Sequence, residues 1–422
     1  VIEDQSSLLP LPRLEFVMPQ SDASAAKAYW PAVVAISLAM FGLIGSELLP
    51  VGLLTPMAQD LNVAIGAAGQ AITATAIIAA IASPVIILGA GRFDRRKLVV
   101  LLTATIFLSG ILTALAQTYW VLLVARALLG IALGGLWAML TALALRLVPP
   151  ASVPRAMSVI FTGITAATVF APSAGLYLGE LWGWRGTFGA AAAIGFVAVI
   201  GVVATLPRLP ATEPTRIDSF RIVLTRRSVV LGIVMVMLVL AGHFAGFTYV
   251  RPIIEQVAEL SGETIALALL LYGLAGLVGN TLGGILAQRS ASGGAIVAAL
   301  LIGLAALTLV FLGGSPIMAF VSVTVWGLAF GAFPVCITTW TANAAPDRAE
   351  SAGALIATSF QVAIAIGASA GGPLFDNSGA FGIVSFTSIS LFAGALAMLV
   401  LGLPLERGGK LMSSRAGATR GH

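Results

Sequence analysis

Three ionisable side chains stand inside stretches that are otherwise too apolar to hold them: Glu47, Arg126 and His243. An arginine in hydrocarbon is costly and normally faces a bundle interior or a wet cavity. Arg126 opens the run Arg126-Ala-Leu-Leu-Gly130-Ile-Ala-Leu-Gly134-Gly-Leu-Trp137. Leu133 and Trp137 fall within about 20° of Arg126 on a helix, and Gly130 within about 40°. One face thus carries a cation, a glycine notch and a flat aromatic, and Gly130-x-x-x-Gly134 lets another helix approach closely. Glu47 precedes Thr55 by eight residues and Arg126 follows Trp120 by six. With Thr55 and Trp120 at one membrane face, the two charges lie at similar depth and are candidate partners. Burial and a nearby cation act in opposite directions on a carboxyl group's proton affinity. A carboxyl under both influences can exchange a proton as its surroundings alternate between wet and dry; a permanent structural ion pair is the other reading.

Other candidates are polar or aromatic residues at membrane depth. His243 could hydrogen-bond a ligand or relay a proton, or be structurally satisfied. Asn280 and Gln361 could join helices through hydrogen bonds or contact a substrate. Trp326 and Thr338 offer an indole and a hydroxyl, and Phe247 follows His243 by one turn. Trp182 and Trp184 fit an interfacial aromatic belt.

These residues need long apolar helices to place them. Of 422 residues, 59% are hydrophobic and 9% charged, and the mean hydropathy is +1.04. That composition excludes a soluble globular protein and indicates an all-α polytopic membrane protein. Runs of about 20 apolar residues predict twelve transmembrane helices, near 31–55, 66–89, 98–116, 120–145, 158–178, 187–206, 229–250, 265–287, 294–313, 315–342, 352–374 and 382–403. Pro50 should interrupt the hydrogen-bond ladder of the first at the depth of Glu47. Placing both termini in the cytoplasm puts 19 of the 22 Lys and Arg residues on that side; Arg185 and Arg251 fall outside and Arg126 within a span. The net charge of +5 is then a topology signal, and no nucleic-acid partner is expected. The acidic leader at 1–28 does not read as a cleavable signal peptide. The lone Cys336 and two histidines predict neither an internal disulfide nor a metal site.

The longest internal loop, 207–228, divides the chain into six-helix bundles at 29–206 and 229–404, with cytoplasmic tails at 1–28 and 405–422. The halves echo each other. Gly130-Ile-Ala-Leu-Gly134 matches Gly327-Leu-Ala-Phe-Gly331, Ser173-Ala-Gly175 matches Ser369-Ala-Gly371, and Pro149 matches Pro346. Parallel six-helix repeats are a transporter architecture with substrate held between the halves. Arg126 corresponds to Val323, so any proton chemistry belongs to the first half.

The loop Asp94-Arg95-Arg96-Lys97, the pattern Arg126-x-x-x-Gly130-x-x-x-Gly134 and Ala171-Pro172-x-x-Gly175 resemble motifs of the major facilitator superfamily, in its drug/proton antiporter branch. Further stretches, among them Glu47-Leu-Leu-Pro50, Leu133-Gly134-Gly135-Leu-Trp137, Arg146-Leu-Val-Pro149-Pro150 and Phe247-Thr-Tyr249-Val-Arg251-Pro252, resemble bacterial exporters of purine ribonucleosides. The resemblance covers most of residues 30–400. It implies an inner-membrane exporter of purine nucleosides or analogues, working by alternating access and driven by protons, without a cofactor and as a monomer among membrane lipids. It also implies roles: Glu47 and Arg126 couple the proton, Trp137 stacks on a purine face, and Asp94, Arg95 and Arg96 latch the cytoplasmic ends; His243, Phe247, Trp326, Thr338, Asn280 and Gln361 are further candidates for substrate contact. Sugars or amphipathic drugs are alternative cargoes. A passive channel would need no coupled acid, and an intramembrane enzyme would gather His, Asp and Glu at one depth. No Gly-x-x-x-x-Gly-Lys-Ser/Thr loop occurs, so ATP is not the expected drive.

Overall fold

The computed structural model describes residues 28–89, 94–149, 152–210, 222–345 and 349–405. Most of both expected tails, much of the 207–228 linker, and Pro346 lie outside the described residues. Among the described residues the longer helices follow in order: α1 (Trp30–Asp60), α2 (Ile65–Gly89), α3 (Arg95–Ala114), α4 (Tyr119–Leu147), α5 (Val153–Thr205), α6 (Arg227–Thr248), α7 (Val250–Ala258), α8 (Gly262–Arg289), α9 (Ala291–Leu312), α10 (Pro316–Ala344) and α11 (Ala349–Ala397), the last continued by a π-helical turn, Met398–Gly402. Side chains cap several starts: Asp94 on α3, Thr118 on α4, Ser261 on α8 and Ser290 on α9 each accept a bond from the first turn.

Ten of these helices are long and apolar enough to cross a membrane. Two of the ten are far too long for one crossing: 53 residues in α5 and 49 in α11, against about 20 for one span. Each breaks at a glycine with positive φ, Gly183 (69°) and Gly379 (58°), a backbone region that other residues avoid. Twelve spanning segments result. The expected loop around Gly183 is thus a sharp break between two helical limbs. At the second break, Gln256 of α7 accepts the freed Ala380 N–H at 3.0 Å.

Packing shows that the limbs fold back. On the first limb of α5, Gly163, Gly175 and Gly179 rest on Ser37, Leu49 and Leu53 of α1, a constant separation of 126 residues (163 − 37) and hence a parallel pair. The second limb runs the other way, with Gly195 near Gly42 and Gly201 near Ala35. The second half repeats this. Gly367 and Gly371 of α11 rest on Ala241 and Ala245 of α6, again 126 apart (367 − 241), while Gly394 and Gly402 on the returning limb approach Val239 and Leu231. The glycine notches behave alike too. Gly130 and Gly134 of α4 sit on Thr75 and Ala79 of α2, and Gly327 and Gly331 of α10 sit on Tyr272 and Gly276 of α8. All four separations are 55 (130 − 75, 327 − 272). The halves are two pseudo-symmetric six-helix bundles, and their GxxxG motifs serve helix packing, not the cavity.

The bundles meet through α2 against α11 and α5 against α8. One end of this seam is closed. There Tyr249, wholly buried between α6 and α7, points its hydroxyl at the carbonyls of Gly66 and Ala368, each 3.3 Å away. Gly66 N–H donates to Asp376 at 3.0 Å, Thr55 to Glu255 at 2.7 Å, and Arg251 to the Gly52 carbonyl at 2.5 Å. Toward the opposite end, which carries Arg95, Arg146 and Arg289, α5 and α8 separate below the contact of Val169 with Gly273. A cleft of about 470 Å³ opens there, lined by Ser158, Phe161, Thr162, Thr165 and Leu277.

Candidate functional site

Proline places the first charged group. Pro50 lies inside α1 and has no N–H to give the carbonyl four residues earlier, that of Ser46. The ladder is interrupted at this depth as expected, but the helix itself runs on, with Arg126 filling the gap: its Nη1 donates to Ser46 O at 2.7 Å. Arg126 is 1% exposed, and its guanidinium lies 4.6 Å from the centre of the Phe188 ring. Its Nε has no partner among the described residues. The next residue of α1, Glu47, is half-buried. No ion pair within 4 Å joins the two side chains; the cation is held on the backbone beside the carboxylate. The expected partners therefore share a neighbourhood, with the carboxylate unbonded.

Pro56, six residues on, does the same to Gly52, and Arg251 from the second half occupies that carbonyl. Arg251 Nε also donates to Glu255 at 2.7 Å, and Glu255 accepts from Thr55. Pro373 of α11 frees the Ser369 carbonyl, toward which Gln70 of α2 donates at 3.4 Å. The sequence reading placed Arg251 outside the membrane but gave no role to Glu255, Thr55 or Gln70. The signal available was a proline four residues after each accepting carbonyl.

His243, Phe247 and Trp326 do come together, at the junction of α6 and α10. His243 is wholly buried between the Phe330 ring (3.7 Å between centroids, 6° between planes) and that of Phe247 (5.3 Å, 16°). Trp326 Nε1 donates to its Nδ1 at 2.9 Å, so the proton of the neutral ring resides on Nε2, which has no partner among the described residues. Phe247 stacks in turn on Tyr272 at 4.7 Å. In this conformation the cluster presents almost no surface: Phe247 is 4% and Trp326 1% exposed.

The remaining candidates scatter. Trp137 is half-buried and meets Phe161 edge-on at 6.3 Å. Thr338 is exposed, but its hydroxyl returns to the Pro334 carbonyl of its own helix at 2.7 Å. Asn280 is exposed with no hydrogen bond to any described residue, so it is not serving as glue between helices. Gln361 keeps a buried, unpartnered Oε1. Asp94 accepts from Arg96 N–H at 2.7 Å, Arg95 donates to Met139 sulfur at 3.6 Å, and Arg96 to Val203 O at 2.8 Å. These contacts stay inside the first half, at the end where the halves stand apart. Trp184 departs from the belt reading: it is 4% exposed, donates to Asp60 at 3.3 Å and packs edge-on against Phe188. Arg185 pairs with the same Asp60, which ties the break at Gly183 to the end of α1. Trp182 is exposed, as a belt residue should be.

Two six-helix bundles around a cleft, with charge at membrane depth, have the architecture of a membrane transporter. Residues 34–368 match the Major Facilitator Superfamily, and the chain belongs to that family. It is 39% identical over 388 residues to the purine ribonucleoside efflux pump NepI of Shigella sonnei (strain Ss046), covering 91% of this chain and 96% of that one. The same figures hold for NepI of Escherichia coli (strain K12). Among solved structures, a D-xylose-proton symporter superposes with a TM-score of 0.71 at 16% identity, over 88% of this chain and 96% of that one. A bacterial homologue of the lysosomal transporter Spinster, in an inward-facing and unoccupied conformation, gives 0.68 at 16%, over 88% and 95%. These two likenesses establish the fold alone.

Proposed function

We propose that this protein exports purine ribonucleosides across the bacterial inner membrane in exchange for protons. The observation that carries the reading is the 39% identity to purine ribonucleoside efflux pumps over nearly the whole length of both chains. The coupling site supports it. Glu47 is the one carboxylate at membrane depth among the described residues, it is partly open, and it lies beside a cation that is already bonded elsewhere. A proton can therefore come and go without breaking a bidentate pair.

The basic end faces the cytoplasm by the distribution of lysine and arginine, so the cleft is inward-open and the Tyr249–Arg251 end is the external seal. Cargo enters the cleft from the cytoplasm while Glu47 is ionised. The halves then close at the basic end, where Asp94, Arg95 and Arg96 engage the second half, and the external seal opens. Protonation of Glu47 from outside resets the carrier.

The test is radiolabelled inosine movement in proteoliposomes with an imposed pH gradient. Wild type should show gradient-driven flux; Glu47→Gln should lose it while retaining inosine exchange without a gradient. Flux indifferent to the gradient in wild type would remove the antiport reading. Absence of inosine flux in folded protein would redirect the search to sugars and amphipathic drugs.

A further inference from the structure

Below the contact of Val169 with Gly273, α5 and α8 turn matched strips toward each other. On α5, Thr165, Thr162 and Ser158 lie within about 40° of Val169, one, two and three turns toward the basic end. On α8, Leu277 and Asn280 lie within about 40° of Gly273, running the same way. Thr162 and Ser158 are exposed, as are Leu277 and Asn280. The 470 Å³ cavity touches Ser158, Thr162 and Thr165 on α5 and Leu277 on α8, and the exposed Asn280 continues the α8 strip one turn beyond Leu277. The cavity falls within the usual range of small-molecule pockets, about 300–1,000 Å³.

The groups available form a set. Thr165 Oγ makes no hydrogen bond to any described residue, and Thr162 Oγ donates to the Ser158 carbonyl at 2.8 Å, leaving its oxygen able to accept. The unbonded Asn280 carboxamide offers a donor and an acceptor side by side, the pairing that reads a purine edge. On one flank Phe161, 42% exposed, meets Trp137, which gives a base an aromatic surface to stack on.

We propose that this α5–α8 seam is the nucleoside subsite of the inward-open state. Thr165 and Thr162 bind the ribose hydroxyls, Asn280 binds the base edge, and Phe161 with Trp137 supplies the stacking face. The buried His243–Trp326 cluster is then packing in this state. The inference rests on the proposed nucleoside cargo and adds where, and by which groups, it is held.

The experiment measures inosine and 2′,3′-dideoxyinosine as competitors of radiolabelled inosine exchange in proteoliposomes. The proteins compared are wild type, Thr165→Val, Thr165→Ser and Asn280→Ala, each checked for folding by thermal melting. Thr165→Val should weaken inosine by about three- to tenfold, the loss of one hydrogen bond, and leave dideoxyinosine within about twofold. Thr165→Ser should restore the difference, and Asn280→Ala should weaken both compounds alike. Equal weakening of both compounds by Thr165→Val, or no change in either, overturns the subsite while leaving the nucleoside reading intact. No exchange of any nucleoside by wild type removes both.

Discussion

Arg126 and Arg251 do the same thing to α1 at two depths, and the contrast lies in where each comes from. Both reach a carbonyl that a proline has deprived of its helical partner, Ser46 through Pro50 and Gly52 through Pro56. Arg126 belongs to the same bundle as α1, so its bond survives any rigid rocking of the halves. Arg251 comes from the other bundle, so its bond must break whenever that end opens. The first arginine is thus a fixed fitting beside Glu47, and the second ties the two halves together. One local defect in a helix, repeated six residues later, makes a tie within one bundle and a tie between bundles according to which domain supplies the donor.

Removing the fixed fitting should have the largest effect. Arg126→Gln leaves a buried carbonyl without its charged donor and Glu47 without its neighbouring cation; a hydrogen bond to a charged group is worth about 1.5–3 kcal/mol. Gradient-driven transport should fall by at least about tenfold with a lower melting temperature, and unchanged transport would sink the comparison at its stronger end. Pro50→Ala is subtler. It returns an N–H that competes for Ser46 O, which should loosen Arg126 and slow transport by a few-fold without unfolding, a helix-compatible change being otherwise neutral or stabilising. If Pro50→Ala transports as wild type, the proline is not what recruits the arginine. Arg251→Gln should change stability least, by about 1 kcal/mol or less for a partly exposed pair. Its signature is conformational: a cysteine at Thr55, in a Cys336→Ser background, should react faster with an external thiol reagent. An unchanged rate would mean the Tyr249 bonds alone hold the seal.

The two bundles differ in the same spirit. The first carries the charge, at Glu47 and Arg126, while at the matching position the second carries Val323 and buries a neutral imidazole against Trp326. Their scaffolds are nonetheless identical in helix register, through separations of 126 and 55 residues found in both. The repeat therefore encodes packing, and the asymmetry is left to side chains.

Much of this was legible in the chain itself. Apolar runs set the number of crossings because a bilayer demands about 20 such residues for each, and glycine at every fourth position announced the close helix pairs. The rarity of charge at membrane depth singled out Glu47, Arg126 and His243, since an ion there needs a reason. Tertiary structure decided the rest. Whether Arg126 bonds the Glu47 carboxylate or the backbone next to it depends on the Ser46 carbonyl, eighty residues before Arg126 and freed by Pro50. Whether His243 faces a cavity or a stack of rings depends on Phe330 and Trp326 of another helix. Asn280 and Thr165 look like ordinary polar residues in a span until α5 and α8 are seen to part beside them. Local sequence sets which groups cannot be left unsatisfied; only the folded arrangement of distant helices determines what satisfies them, because hydrogen bonds and rings act over a few ångströms that no spacing along the chain specifies.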